Sequence, residues 1–232
     1  MKLSKNILSV ASAAAIVAAG VVTPIAAQAE VSASMAFSNM YLWRGQNLSP
    51  NGSVISGSID YSHESGFYAG AWTSSETGGE ENDLYLGFGG EAGGVSYDVS
   101  YWMYLYPEDG GPSSTTKLSD SNLSELVGSV GYGPATFTLY MGVDTEFQGS
   151  DPGDYYYYTL GLDFMEKFNI TFGGWKWDKL TGSDYTHVTF SYSPIDELKF
   201  TVSMAQEDAK DSIEEDPLFQ VTYSKSFDLM AK

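Results

Sequence analysis

The chain has 232 residues, thirty acidic against eleven basic, a net charge of −19 and no cysteine. That balance excludes nucleic-acid binding through phosphate neutralisation. The missing thiols exclude disulfides, zinc–thiolate sites and cysteine catalysis together. Aromatics make up 15% of the chain, with 17 tyrosines and 5 tryptophans, a mixture suited to surfaces that are half apolar and half wet.

The first element in chain order is not expected to belong to the fold. Lys2 and Lys5 precede an alanine-rich apolar run from Ile7 to Val22, Pro24 breaks it, and Ala27-Gln28-Ala29 fits a small-x-small cleavage rule. Residues 1–29 therefore read as a secretory signal peptide cut after Ala29, since the apolar run falls short of the ~20 residues of a spanning helix. Residues 30–232 then form one domain. Its net charge is −21, because the leader takes away two lysines and no acid. No later apolar run is long enough to span as a helix, so entry into a membrane requires a closed sheet.

From residue 31 onward apolar and polar residues alternate. Val95, Val99, Tyr101, Met103 and Leu105 oppose Ser96, Asp98 and Ser100; Phe137, Leu139 and Met141 oppose Thr136, Thr138 and Tyr140; Leu198, Phe200, Val202 and Met204 oppose Lys199, Thr201 and Ser203. A period of two means strands with one oily and one polar face. Strands are predicted near 31–46, 53–63, 66–75, 83–91, 94–106, 121–131, 135–147, 154–165, 168–177, 185–193, 197–206 and 217–227. That makes about twelve, an even number, as in single-chain bacterial barrels.

The connections alternate as well. "ESG", "AGG", "YGP", "EK" and "PIDE" are tight, whereas "NLSPNG", "SSETGGEEN", "PEDGGPSSTTKLSD", "QGSDPG", "DKLTGSD" and "EDAKDSIEED" are mostly longer and rich in Gly, Ser and acids. Short turns at one end and longer loops at the other mark an outer-membrane barrel with its turns in the periplasm. The acids of the longer connections predict an anionic outer rim. The fold class is thus all-β, a transmembrane antiparallel up-and-down barrel.

The stretch from Ser38 to Ser75 carries a resemblance. Tyr41, Arg44-Gly45, Gly57, Tyr61 and Gly66-Phe67-Tyr68-Ala69-Gly70-Ala71-Trp72 are similar to the opening of the TorF-like porin family of proteobacterial outer-membrane β-barrel proteins. The resemblance implies an outer-membrane barrel acting as a channel, without a defined substrate. Phe227 is followed by five further residues, which departs from the usual terminal aromatic of such barrels.

Arg44 is the only arginine. Carried along the first predicted strand, parity turns Tyr41 and Trp43 towards lipid as an aromatic girdle and Arg44 into the lumen near the outer mouth. A lipid-facing arginine near the midplane would cost about 2–4 kcal/mol, which decides the direction. The same parity sends Asp60, Asp98, Glu125, Asp144, Asp163, His187 and Lys199 inward as candidate pore-lining or binding residues. They can form a salt-bridged network that stiffens the barrel, or a field that selects solutes, cations or neutral molecules above all. Inward bulk (Tyr85, Trp102, Tyr104, Tyr157, Trp175 and Trp177) beside inward small residues (Ser56, Ser58, Ser100, Gly142, Gly161 and Gly173) predicts a narrow passage. Twelve strands lie between the filled eight-stranded barrel and the wide sixteen-stranded pore.

No catalytic set emerges, so the chain reads as a non-enzyme. His187 could serve as a general base, but no Ser or Asp stands at a spacing that identifies a partner. The Glu80-Glu81-x-Asp83 and Asp211–Asp216 clusters lack calcium-loop spacing, and Gly87–Gly94 lacks the helix and lysine of a phosphate loop. No metal or cofactor is assigned. The expected surroundings are outer-membrane lipid and lipopolysaccharide outside and small solutes or cations inside, for a monomer or, alternatively, a trimer. The competing readings are a closed structural or surface-interaction barrel and a soluble periplasmic β-protein.

Overall fold

The computed structural model describes residues 30–50, 52–76, 79–106, 123–143, 151–177, 184–207 and 213–230. Residues 1–29 and Asp144 lie outside them. The elements are β1 (Glu30–Ser38), β2 (Leu42–Trp43), β3 (Gln46–Asn47), β4 (Val54–Ser62), β5 (Phe67–Glu76), β6 (Gly79–Ala92), β7 (Val95–Leu105), β8 (Leu123–Tyr132), β9 (Ala135–Gly142), β10 (Tyr155–Phe164), β11 (Phe168–Trp177), β12 (Tyr185–Ile195), β13 (Leu198–Glu207) and β14 (Leu218–Asp228).

Twelve of these form one closed antiparallel barrel. Each wall strand pairs with its sequence neighbour, β1 pairing with β4, and β1 against β14 completes the ring. Closure leaves no unpaired sheet edge, which is what a sheet in hydrocarbon requires.

The alternation decides the two faces. Met35, Phe37, Ile55, Ile59, Leu84, Leu86, Phe88, Val99, Leu126, Val130, Phe137, Leu160, Phe172, Phe190 and Phe219 all point outward and are exposed. Many of the intervening residues, Ser34, Ser56, Ser58, Asp98, Ser100, Glu125, Thr138, Tyr140, Thr159, Thr201 and Thr222 among them, point inward and are buried. Such an exterior in water would be one continuous apolar patch far larger than soluble monomers carry. In lipid it costs nothing.

The interior divides along its axis. The half at the longer connections is filled by Tyr104, Leu123, Val127, Tyr140, Tyr155, Tyr157, Trp175, Trp177, Tyr185 and Ala205, packed with Trp43 and Trp102. The half at the tight turns is lined by hydroxyls that bond across the lumen wall, Ser34 to Ser58 at 2.7 Å, Ser38 to Thr222 at 2.8 Å and Thr189 to Ser203 at 2.7 Å.

Three expectations need correction. The first strand ends at Ser38, not at residue 46. Asn39 takes the chain off the wall: its side-chain oxygen accepts from the Val221 N–H at 2.7 Å, and its amide nitrogen donates to the Phe219 carbonyl at 2.9 Å. These bonds satisfy β14 groups that a longer β1 would have paired. Second, "SSETGGEEN" is mostly strand, because β5 and β6 stay paired out to Glu76 and Gly79. Glu81 and Asp83 are consequently inward and buried, at 1% and 4% exposure, and do not belong to an anionic rim. Third, β9 is described only to Gly142 and Val143 is not strand; positions 144–147 of the predicted strand lie outside the described residues.

Candidate functional site

Residues 39–50 fold into the barrel. Leu42 and Trp43 pair with Asn47 and Gln46, forming a hairpin whose two central residues are Arg44 and Gly45. Both have positive φ, 49° and 85°, the requirement of a two-residue turn whose twist matches its strands. Glycine meets that at no steric cost, while Arg44 gives up about 1–2 kcal/mol in the left-handed region. A second reason for glycine is contact: a Cβ at position 45 would stand 2.7 Å from the Cβ and Cγ of His187.

The hairpin is a separate two-stranded unit, not an extra member of the wall. Leu48 N–H donates to the Tyr41 carbonyl at 2.8 Å, and Tyr41 N–H donates to Ser49 Oγ at 2.6 Å, so its hydrogen bonds close on themselves. Side chains do the docking. Tyr185 Oη donates to the Arg44 carbonyl at 3.0 Å, and Gln220 Nε2 donates to the Met40 carbonyl at 3.0 Å.

The head of the hairpin is a buried cation. Arg44 Nη2 donates to Glu125 Oε2 at 2.6 Å, with both side chains essentially inaccessible. Tyr104 Oη donates to the same oxygen at 3.0 Å. Four rings surround the guanidinium carbon, with centroids at 4.2 Å for Trp43, 4.6 Å for Tyr157, 4.9 Å for Tyr140 and 5.0 Å for Trp175. Burying such an ion costs several kcal/mol before compensation. Four ring faces at about 0.5–2 kcal/mol each, plus the ion pair, offset much of that.

The compensation is incomplete. Among the described residues, Arg44 Nε and Nη1 and Glu125 Oε1 are buried without a hydrogen-bond partner. The pair is therefore single-pronged and not the two-bond fork of which arginine and carboxylate are capable.

The remaining candidates spread out from this point. His187 is buried beneath Gly45, with Nε2 2.7 Å from Tyr157 Oη and Nδ1 3.0 Å from Thr189 Oγ1. Both ring nitrogens are thus occupied, and its imidazole stacks on Tyr157 at 5.9 Å between centroids. Gly173 leaves room for that ring, since a Cβ there would collide with Nε2. Asp60 and Asp98 lie in the hydroxyl-lined half. Ser58 Oγ and Tyr85 Oη donate to Asp60, the former at 2.6 Å, and Tyr68 Oη donates to both oxygens of Asp98 at 3.0 and 2.8 Å. Lys199 lies on the inward face of β13, opposite Thr222. Asp163 is exposed near a tight turn and accepts from Asn169 Nδ2 at 2.8 Å. Of the eight predicted residues, the structure brings Arg44, Glu125 and His187 together.

Tyr41 and Trp43 do not join a lipid-facing girdle as their parity predicts: Tyr41 is 4% exposed, packed on Trp72 at 6.0 Å, and Trp43 lies against Trp175 at 5.6 Å. Parity holds only while the chain stays in the wall. The local signal for the hairpin is weak: Gly45 ends the Tyr41-Leu42-Trp43 run and polar Gln46 and Asn47 follow it, where an isolated glycine marks a break in a strand. Tyr140, Tyr155 and Tyr185 were not singled out either, because tyrosines at alternate positions are too common in this chain to distinguish one cluster.

A closed twelve-stranded antiparallel wall, an apolar outside and an inward-folded constriction define a porin-like β-barrel of the outer-membrane type. The chain belongs to the family described as "Bacterial protein of unknown function (Gcw_chp)", whose model matches residues 23–205. No curated protein sequence matches it. Among solved structures it is similar to a KdgM porin, with TM-score 0.51 and 9% identity over 84% of this chain and 98% of that one. It is also similar to a structure from work on the in-meso crystallization of membrane proteins, with TM-score 0.53 and 8% identity over 88% of this chain and 85% of that one. The outer membrane phospholipase A from Escherichia coli aligns at TM-score 0.44 and 11% identity over 83% and 91% of the two chains. At these identities the likeness is one of fold.

Proposed function

We propose that the mature chain, exported by cleavage after Ala29, is an outer-membrane channel that passes small solutes through a lumen narrowed by the Arg44 hairpin. The observation that carries this reading is the pairing of a lipid-suited exterior with a hairpin that sits in the lumen outside the wall's hydrogen-bonding. A constriction built that way can move without breaking the barrel. The lumen holds more inward carboxylates (Asp60, Glu81, Asp83, Asp98 and Glu125) than cations (Arg44 and Lys199) among the described residues, which favours cations and neutral solutes. The resemblance of residues 38–75 to the TorF-like porins supports the same reading. The tight turns would face the periplasm and the longer connections the outside.

The packed aromatic half favours a second reading, a closed structural or surface-interaction barrel. Planar-bilayer recording separates the two. Discrete conductance steps, enlarged when residues 41–49 are replaced by a short Gly-Ser link, support the channel. Silence of both forms at every salt and voltage leaves the closed barrel.

A further inference from the structure

We infer that Glu125, Tyr140, Tyr157 and Trp175 form a binding site for a planar organic cation of the guanidinium class, and that Arg44 fills it as an internal ligand. The site stands on geometry that does not depend on conduction, whereas its consequence for passage rests on the channel reading.

The wall supplies the receptor. Glu125 comes from β8, Tyr140 from β9, Tyr157 from β10 and Trp175 from β11, four consecutive strands whose inward faces converge on one point. They offer a buried carboxylate and three ring faces at 4.6 to 5.0 Å from the guanidinium carbon. That is the arrangement by which proteins hold cations too weakly hydrated to stay in water: charge at one side and π-faces around. A compact, strongly hydrated sodium ion would gain little from it.

The ligand now in the site is delivered by a separate element. Among the described residues, no backbone–backbone hydrogen bond joins 41–49 to the wall. Its head engages one oxygen of Glu125, and Oε1, Nε and Nη1 find no partner among the described residues in a buried setting. A pair kept only for stability would be expected to satisfy those atoms. Arg44 sits at positive φ because the hairpin's own turn demands it, so the head can leave the cage as an intact hairpin. A free guanidinium carries no such tether, and can present two donors side by side to both oxygens of Glu125. Solute of this class and Arg44 therefore compete for one cage. Occupancy by the solute leaves the hairpin undocked.

The test uses the full mature chain, refolded in detergent, and its freedom from cysteine. Leu42→Cys places one thiol at a position 8% exposed in the docked hairpin, and its maleimide labelling rate reports the undocked population. Methylguanidinium chloride is titrated against sodium chloride of equal ionic strength. Competition multiplies the undocked population by 1 + [L]/Kd, so labelling rises about tenfold at ten times Kd while the hairpin stays mostly docked, with Kd on the order of millimolar for so small a ligand. A rate that stays flat, or follows sodium chloride equally, overturns the proposal. In the second arm, Arg44→Gln empties the cage and tryptophan fluorescence is titrated with methylguanidinium. A saturable change that disappears in Arg44→Gln/Glu125→Gln supports the site, and a flat response overturns it. Should Arg44→Gln fail to fold, the labelling arm alone decides. Neither arm needs current, so a silent bilayer would remove the channel reading while leaving this one standing.

Discussion

Gly45 lies so close to His187 that a methyl group on its Cα would stand 2.7 Å from both the Cβ and the Cγ of the histidine. The hairpin backbone therefore packs on the imidazole at a position where any side chain would clash. His187 cannot retreat easily, because Tyr157 and Thr189 hold its two nitrogens and Gly173 backs the ring.

Gly45→Ala should undock the hairpin without opening the barrel. Overpacking of this kind costs about 1–3 kcal/mol, and alanine adds strain at φ 85°. The expected outcome is a loss of near-ultraviolet circular dichroism from the Trp43–Trp175 contact with far-ultraviolet strand signal unchanged. Gly45→Ala/His187→Ala should recover part of the signal, since the clash has lost its second member.

Glu125→Leu should be among the most damaging single changes in the lumen. Removing one member of a buried ion pair typically costs 3–5 kcal/mol, roughly, because Arg44 would keep its charge with only ring faces around it. Arg44→Met/Glu125→Leu should recover most of that stability, as apolar replacements of buried pairs often do. Denaturant unfolding of the four members of the cycle in one detergent checks both statements; additive losses would show that the 2.6 Å contact carries no coupling.

Leu160→Arg tests the outside of the barrel. Leu160 is outward and exposed, paired laterally with Phe137 and Phe172. If hydrocarbon surrounds that belt, the substitution should cost about 2–4 kcal/mol near the midplane, read as reduced folding yield into phospholipid vesicles. Thr159→Asn, on the neighbouring inward position, should fold into the same vesicles with far smaller loss. Equal yields for wild type and Leu160→Arg would argue that the belt does not meet lipid.

Asp60→Asn/Asp98→Asn should shift ion selectivity. Both carboxylates lie in the hydroxyl-lined half and are held by tyrosine hydroxyls, so the amides can occupy the same places with the charge removed. The reversal potential in a potassium chloride gradient should move towards that of a non-selective pore. An unchanged potential in a conducting protein would mean that these acids do not face the permeating path.

Much of the wall was legible because a strand's side chains alternate regardless of what surrounds them. Asp60, Asp98 and Glu125 could be sent inward, and Phe137, Leu160 and Val221 outward, from parity alone. Arg44 could also be assigned to the interior, since the cost of a lipid-facing guanidinium outweighs any local preference. The residues that accompany it could not be named. Tyr41 and Trp43 obey the alternation perfectly and still lie inside, because the chain leaves the wall at Asn39 and parity no longer refers to any sheet.

Alternating polarity along this chain, with tight turns and longer connections in succession, by itself determined a closed antiparallel barrel with an oily exterior. Those are properties of neighbours in sequence and of a backbone that must satisfy its own hydrogen bonds. Which carboxylate meets the single arginine, and that a hairpin of residues 39–50 carries it there, was decided only by the tertiary structure. Glu125 is 81 positions away, and only ring closure, by fixing which inward faces oppose one another across the lumen, brings the guanidinium, its carboxylate and its three wall aromatics to one place.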